Sequence, residues 1–174
     1  MRKVKLFIAT SVDGYIAKPN NDLSFLSMVD QPGEDYGYAA FEKETDTIIM
    51  GRKTYDWVMQ QVGVFPHAHK KTYVITRNKR PDSGNITFYN QSLKVLIQTL
   101  KQEKGQTIFV DGGAEIIHEL LKEKLIDEMI ISIIPIILGD GTMLFKKGFP
   151  EQKLKMINSI TYESGLVQLH YAKI

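Results

Sequence analysis

Short apolar runs alternate with amphipathic segments along the first two thirds of the chain. The runs are rich in β-branched residues and apolar on both sides, which is typical of central strands buried on two faces. The four runs are KVKLFIA (3–9), TDTIIM (45–50), TYVIT (72–76) and TIFVD (107–111). The segments 92–103 and 114–125 have helical apolar spacing, and Ser92 stands where an N-cap is expected. This alternation predicts an α/β fold with a mostly parallel central sheet flanked by helices.

The last third of the chain shows strand patterns with no helix between them. They cover residues 128–138, 152–163 and 166–174, and Glu163-Ser164-Gly165 favours a tight turn that makes the last two an antiparallel hairpin. In the final segment Val167 alternates with Gln168, so we expect the Gln168 side of the strand to be the wetter one. No repeat or linker divides the chain, and one domain spanning residues 1–174 is predicted.

Charge and cysteine content exclude several classes of protein. A formal net charge of +2 argues against an electrostatic nucleic-acid binder, and the absence of cysteine excludes disulfides, thiolate zinc sites and iron–sulfur clusters. The N-terminal segment has too short an apolar run for a signal peptide. The longest apolar stretch, 129–138, is about half the length of a membrane span. We therefore expect a soluble, cytoplasmic protein with neither nucleic-acid nor membrane partners.

Three glycine-containing joints follow predicted strands and are the first candidates for a binding site. They are ATSVDGYIA (9–17), Gly51-Arg52-Lys53-Thr54 and VDGGAEI (110–116). Ligands of open α/β sheets bind outside the carboxyl ends of the strands, so these joints could meet at one crevice. Glycine lets the backbone approach an anion, and a helix N terminus offers unpaired N–H groups. Each joint alone could equally be a tight turn, but the three together favour a phosphate site.

Two arginines lie beside these joints. Arg52 follows Gly51, and Arg77 follows the strand at 72–76. Guanidinium groups suit a phosphate monoester, so this pair would favour a dinucleotide with an extra ribose phosphate, unless both are ordinary surface residues. The chain has no Rossmann fingerprint, P-loop or nucleophile elbow. His67 and His69 have no third ligand at convincing spacing, and no metal site is predicted.

The order and spacing of five segments resemble the dihydrofolate reductase superfamily. The segments are LFIATSVDGYIA, IIMGRKTYD, YVITRN, FVDGGAEII and IDEMIISIIPIILGDGTMLF. The chain is most similar to the C-terminal reductase domain of the bifunctional riboflavin-biosynthesis deaminase-reductase and its stand-alone bacterial relatives. Residues 126–145 discriminate best between this group and true dihydrofolate reductases. The zinc deaminase half of the bifunctional enzyme has no counterpart here.

This resemblance implies an eight-stranded, mostly parallel sheet with an antiparallel C-terminal hairpin, and NADPH as hydride donor. The loop at 10–17 would cover the nicotinamide, the joints at Gly51 and Gly112 would hold the phosphates, and Arg77 would lie near the ribose phosphate. The implied cofactor contacts are Ala9, Ile16, Gly51, Arg52, Lys53, Thr54, Thr76, Arg77, Gly112, Gly113, Ala114, Glu115 and Ile116.

Carboxylates near these contacts raise separate questions. Asp35, 16 residues before Gly51, falls near the place of the acid that protonates the pterin in dihydrofolate reductases, and is the candidate catalytic residue. Its alternative role is that of a helix-start residue favoured by the helix dipole. Asp111 and Glu115 flank the Gly-Gly turn, which is unfavourable beside a pyrophosphate unless they point away. Asp13 is more consistent with a turn.

The hypothesis is an NADPH-dependent reductase of a small heterocycle, most like 5-amino-6-(5-phosphoribosylamino)uracil reductase of riboflavin biosynthesis. The alternatives are a dihydrofolate reductase that acts on a pterin and a non-catalytic NADPH-binding protein. A phosphorylated substrate would need further cations, for which Lys18, Lys70 and Lys71 are candidates. The apolar C-terminal strands could pair across a two-fold axis, so a homodimer is expected.

Overall fold

The computed structural model describes all 174 residues, and its central feature is one eight-stranded sheet. The elements in chain order are β1 (Val4–Ser11), β2 (Tyr15–Ala17), α1 (Tyr38–Lys43), β3 (Thr45–Gly51), α2 (Arg52–Val62), β4 (Lys71–Ile75), β5 (Ile86–Tyr89), α3 (Leu93–Gln102), β6 (Thr107–Gly112), α4 (Ala114–Lys122), β7 (Glu128–Ile134), β8 (Thr142–Met143), β9 (Leu154–Thr161) and β10 (Val167–Lys173). Two short 3₁₀ turns, 19–21 and 24–29, lie between β2 and α1.

The strand order in the sheet is β5-β4-β3-β6-β1-β7-β10-β9. The strands from β5 to β7 are parallel, and β10 and β9 are antiparallel to their neighbours. The hairpin turn is closed by the Tyr162 N–H, which donates to the Leu166 carbonyl at 2.9 Å. The predicted α/β fold, with a mostly parallel sheet and an antiparallel C-terminal hairpin, is confirmed. None of the helices has the length and apolarity needed to cross a membrane.

Some elements differ from their predicted extent. β7 ends at Ile134 rather than at residue 138, because Pro135 has no N–H with which to continue the ladder. α2 continues to Val62, inside a segment without clear periodicity, and none of its residues is fully buried. The edge strand β5 was not predicted, since its four residues, ITFY, are too few to show a pattern.

The polarity predicted for β10 is wrong at Gln168. This side chain is buried, and its Nε2 atom donates to Ser132 Oγ at 3.0 Å and to the Tyr36 carbonyl at 2.9 Å. The residues before α1 fold over this part of the sheet, so a polar residue faces the interior there. Alternation along one strand could not show that another segment covers its polar side.

Three hydrophobic cores fix the positions of the helices. The largest has 17 buried residues and lies between the sheet and α3 and α4, with Leu6 and Ile117 among its members. A second, which includes Phe41 and Phe109, lies on the opposite face under α1 and α2. A third joins Phe25 and its neighbours in the 3₁₀ turn to the end of β7. Each core also holds in place a segment that borders the carboxyl edge of the sheet, where the parallel strands end.

Glu128 ties three adjacent strands together at the other edge of the sheet. Its side chain is only 8% exposed, and its Oε2 atom lies 3.3 Å from Lys5 Nζ on β1 and 3.1 Å from His170 Nε2 on β10. Burial alone would raise the pKa of this carboxyl group. The hydrogen bond from Lys3 and the charge of Lys5, together with His170, outweigh burial and lower the pKa to about 2.

We expect Glu128→Gln to lower the free energy of unfolding by about 2 kcal/mol at pH 7, because it removes charged hydrogen bonds between strands. The native pKa lies below the unfolded value of about 4.3, so this contribution exists above that value and is lost as pH falls towards 2. Urea unfolding at pH 7 and near pH 2.5 should therefore show a difference that shrinks in acid. Glu151→Gln, at an exposed position, is the control, and an equal loss at both pH values would contradict the assignment.

Candidate active site

Two helices begin at the carboxyl edge of the sheet without a side-chain cap. α2 starts after Gly51 and α4 after Gly113, and no side chain accepts a hydrogen bond from either first turn. In α3, by contrast, the Ser92 hydroxyl accepts the Val95 N–H at 3.4 Å. The first turns of α2 and α4 thus present N–H groups and the positive ends of two helix dipoles, which together favour an anion.

The two uncapped starts approach each other closely. A Cβ atom placed on Gly51 would lie 3.3 Å from Ile116 Cγ1 and 3.7 Å from the Gly113 nitrogen. One placed on Gly113 would lie 3.1 Å from Thr54 Oγ1. The peptide between Gly112 and Gly113 is cis. The structure therefore brings these two predicted joints together, and a side chain at Gly51 or Gly113 would press against Ile116 or Thr54.

Cations lie near this edge, but Arg52 shares a carboxylate with Arg80 rather than with its predicted partner, Arg77. Arg52 Nη1 donates to Asp56 Oδ2 at 2.8 Å, and Arg80 Nη1 donates to Asp56 Oδ1 at 2.8 Å. The hydrogen bond from Arg80, and then that from Arg52, lower the pKa of Asp56. Arg77 is exposed and has no side-chain partner. Arg80 was not predicted; its place in the loop after Arg77 was the only signal in the sequence.

The other predicted phosphate contacts have mixed surroundings. Lys53 is exposed in the first turn of α2. Thr76 is buried, and its hydroxyl is engaged with the backbone of Asn78 at 3.2 Å. Glu115 forms an ion pair with Lys146, and the hydrogen bond from that lysine lowers its pKa. Because Lys146 offsets the charge of Glu115, this carboxylate is less unfavourable to an anion than the sequence suggested. Ala114 is buried at the start of α4.

The joint at residues 10–17 is held in a fixed arrangement. Asp13 Oδ1 accepts the Leu138 N–H at 3.1 Å and the Ser11 hydroxyl at 2.6 Å, and its Oδ2 accepts the Gly139 N–H at 2.7 Å. The Ser11 hydrogen bond is the main cause that lowers the pKa of Asp13 to about 2. Ile16 lies in β2, which pairs with β8, while Ala9 packs under the 3₁₀ turn. Asp13 therefore has the structural role that its turn sequence indicated.

Asp35 caps α1. Its carboxylate accepts the N–H groups of Gly37 and Ala39, each at 2.9 Å, and its side chain is exposed. These bonds, with that from Ala39 first, lower its pKa. A carboxylate held in its ionised form does not suit proton donation at neutral pH. This geometry favours the alternative role of Asp35 at a helix start over the role of a proton donor.

Asp111 has the opposite electrostatic environment. It follows Val110, whose register partner on β1 is Leu6, so Asp111 is a neighbour of Phe7 on the face covered by α1 and α2. Burial raises its pKa to about 7. From the sequence, Asp111 was expected only to be an unfavourable charge, because the sequence does not show how much of the carboxyl group is buried. A carboxyl group that is half protonated near neutral pH can act as a general acid.

Aromatic side chains lie near Asp111 on this face of the sheet. Tyr38 packs against Phe7 with ring centroids 5.6 Å apart, and its hydroxyl lies 3.3 Å from His67 Nε2. Burial, followed by the charges of Asp111 and Glu42, raises the pKa of Tyr38 to about 12, so the phenol stays neutral. Tyr38 and Phe7 thus form an apolar wall beside a protonatable acid, which suits a flat ring.

The strand order and the paired glycine joints define a dihydrofolate reductase-like fold, and sequence comparison narrows the class. Residues 2–168 match the family described as the RibD C-terminal domain. The chain belongs to this family, which confirms the resemblance found in the sequence. It is 41% identical to the uncharacterised protein YwjB of Bacillus subtilis (strain 168) over 99% of this chain and 98% of that protein.

Solved structures share the fold. A candidate riboflavin biosynthesis protein of Shewanella sp. PV-4 is 30% identical over 99% of both chains, with a TM-score of 0.89. A Thermotoga maritima diaminohydroxyphosphoribosylaminopyrimidine deaminase/5-amino-6-(5-phosphoribosylamino)uracil reductase has a TM-score of 0.69 at 14% identity, over 99% of this chain and 57% of that one. Dihydrofolate reductase of Enterococcus faecalis, solved with NADP(H), has a TM-score of 0.63 at 18% identity, over 98% and 96% of the two chains.

Proposed function

We propose that the protein is an NADPH-dependent reductase that reduces a C=N or C=O bond of a small heterocycle. The observation that carries this proposal is the meeting of two uncapped helix starts, at Gly51 and Gly113, on the same sheet edge as the protonatable Asp111. Membership of the RibD C-terminal domain family supports it. A pyrimidine related to 5-amino-6-(5-phosphoribosylamino)uracil is the reference acceptor.

The helix starts fit the pyrophosphate of a dinucleotide. The N–H groups at the beginning of α2 and α4 would bind phosphate oxygens, and Lys53 and the Thr54 hydroxyl lie in the same first turn. Ala9 and Ile16 would contact the nicotinamide end. The cofactor, when bound, supplies the hydride, and the chain's own groups position it and exclude water.

The arginines favour NADPH over NADH. Arg52 and Arg80 share the single carboxylate of Asp56, and Arg77 has no carboxylate partner, so positive charge remains for a phosphate monoester. Arg77 has no carboxylate partner that a phosphate must displace. A guanidinium group can donate two parallel hydrogen bonds to the oxygens of one phosphate monoester.

Asp111 is the proposed acid at the acceptor. A carbon that receives hydride leaves an electron pair on the adjoining nitrogen or oxygen, and that atom needs a proton. Asp111, with its raised pKa, donates the proton directly or through a water molecule and is then protonated again from solvent. Because Asp35 accepts backbone N–H groups at the start of α1, the pterin reductase alternative would need a different acid.

Cofactor choice is tested by titration of Trp57 fluorescence, since this single tryptophan lies in α2. We expect NADPH to bind at least about tenfold more tightly than NADH, the value of one charged phosphate contact. Arg77→Ala should weaken NADPH binding about tenfold and leave NADH unchanged, whereas Lys104→Ala should change neither. Equal affinities would contradict the NADPH assignment, and no binding of either nucleotide would overturn the reductase proposal.

The acid role of Asp111 predicts a loss of turnover without a loss of cofactor. Asp111→Asn should lower kcat by roughly 10² to 10⁴ while the Kd for NADPH stays within about twofold. In the native protein kcat should fall as pH rises above about 7, because the protonated form of Asp111 is lost. The variant should lack that limb of the profile. NADPH binding without turnover of any pyrimidine or pterin would favour the non-catalytic alternative.

We also propose that the protein is a homodimer that pairs through β9. This edge strand is exposed along its whole length, with Met156, Ile157 and Ile160 each at least 40% exposed. Its free backbone groups and apolar side chains could pair with a second copy across a two-fold axis.

Sedimentation should show a dimer for the native chain and a shift to monomer for Ile157→Lys, since a charge in the middle of the interface is unfavourable. Circular dichroism should be unchanged. Val62→Lys, at an equally exposed apolar position of α2, should remain dimeric. A monomeric native protein would show the pairing to be wrong.

A further inference from the structure

The segment of residues 23–40, before and at the start of α1, carries only acidic charged residues. Within this segment, Phe25 and Val29 pack on the end of β7, next to Ala9. Tyr38, near the end of the segment, is the first residue of α1. This segment contains Asp30, Glu34 and Asp35 and neither lysine nor arginine. All three carboxylates are exposed. The rim that an acceptor's substituent would meet therefore carries negative charge.

The lysines that could bind a phosphate on the acceptor are occupied elsewhere. Lys18 Nζ donates to Ser24 Oγ at 2.9 Å and lies 3.8 Å from Asp22 Oδ2. Lys70 is buried, and its Nζ atom donates to the carbonyl groups of Glu42 at 2.6 Å and Thr45 at 2.7 Å. Its three N–H donors are therefore largely committed to the protein's own backbone.

Lys71 lies at the wrong edge of the sheet. It starts β4, whereas the pocket lies where the parallel strands end. Its Nζ atom lies 3.6 Å from Glu103 and 5.3 Å from the centre of the Tyr73 ring. The cations that remain near the carboxyl edge, Arg77 and Lys53 among them, belong to the proposed cofactor side.

We propose that the acceptor is an unphosphorylated planar heterocycle, bound between Tyr38 and Asp111, and that a phosphate monoester on its substituent weakens binding. This inference rests on the proposed reductase function and narrows its substrate class. A phosphate dianion near these exposed carboxylates would be repelled, because Lys18, Lys70 and Lys71 are engaged elsewhere. After screening at physiological salt, this repulsion amounts to about a tenfold difference in affinity.

The test compares ribosylaminouracil with its 5-phosphate as acceptors for the native protein, by NADPH oxidation and by the thermal shift each compound gives with NADPH present. We expect kcat/KM to be about tenfold higher for the unphosphorylated compound and its thermal shift to be larger. The preference should shrink at 0.5 M salt, because the repulsion is electrostatic. A preference that salt leaves unchanged would overturn the charge argument.

Asp30→Lys places a cation on the acidic rim at a side chain with no hydrogen-bond partner. It should reduce the discrimination against the phosphate several-fold, while Glu151→Lys, on the far side of the molecule from the pocket, should leave it unchanged. Equal or better use of the phosphorylated compound by the native protein would overturn this inference and leave the reductase proposal intact. If neither compound is reduced and neither gives a thermal shift with NADPH bound, the proposed function fails, and this inference fails with it.

Discussion

The close approach of Gly51 to Gly113 is the constraint on which the candidate site depends. β3 and β6 are parallel neighbours, and Met50 pairs in register with Gly112, so the two strands end side by side. The helices that follow pack on opposite faces of the sheet, α2 over the second core and α4 over the first. Their starts nevertheless meet, and both dipoles act on one point at the edge. Any side chain at either glycine would occupy the space that this arrangement leaves.

Charge is divided across this point. On the α2 side, guanidinium groups outnumber their single carboxylate partner, Asp56. Residues 23–40 contain carboxylates but no lysine or arginine. Lys70 does not offset their charge, because its ammonium group donates to backbone carbonyl groups. The proposed cofactor and acceptor would therefore lie on sides of opposite charge. The local charge balance carries information that the near-neutral total of the chain does not.

The strands and the joints could be predicted from the sequence because their signals are local. Apolar runs such as 45–50 and 107–111 need no distant residue to be recognised, and a glycine after a strand marks its own turn. The roles of Asp35 and Asp111 could not be predicted in this way. Asp35 is exposed and bound to backbone N–H groups, whereas Asp111 is partly buried, and only the packing of distant segments against the sheet decides this difference. Gln168 was predicted on the wrong side of its strand, and Arg80 was not predicted at all, because the partners of both residues are distant in sequence.

Asp111 lies beside the candidate anion site. This position would be unfavourable for a carboxyl group that is always ionised, but it is compatible with anion binding when the group takes up a proton. Burial already raises its pKa to about 7. Phosphates bound at the neighbouring helix starts would add negative charge and raise this pKa further, since like charges disfavour the ionised form. Cofactor binding would then be linked to proton uptake at Asp111, and the acid would be protonated when the hydride donor is in place. The same charge that makes Asp111 unfavourable for binding would thus prepare it to donate a proton.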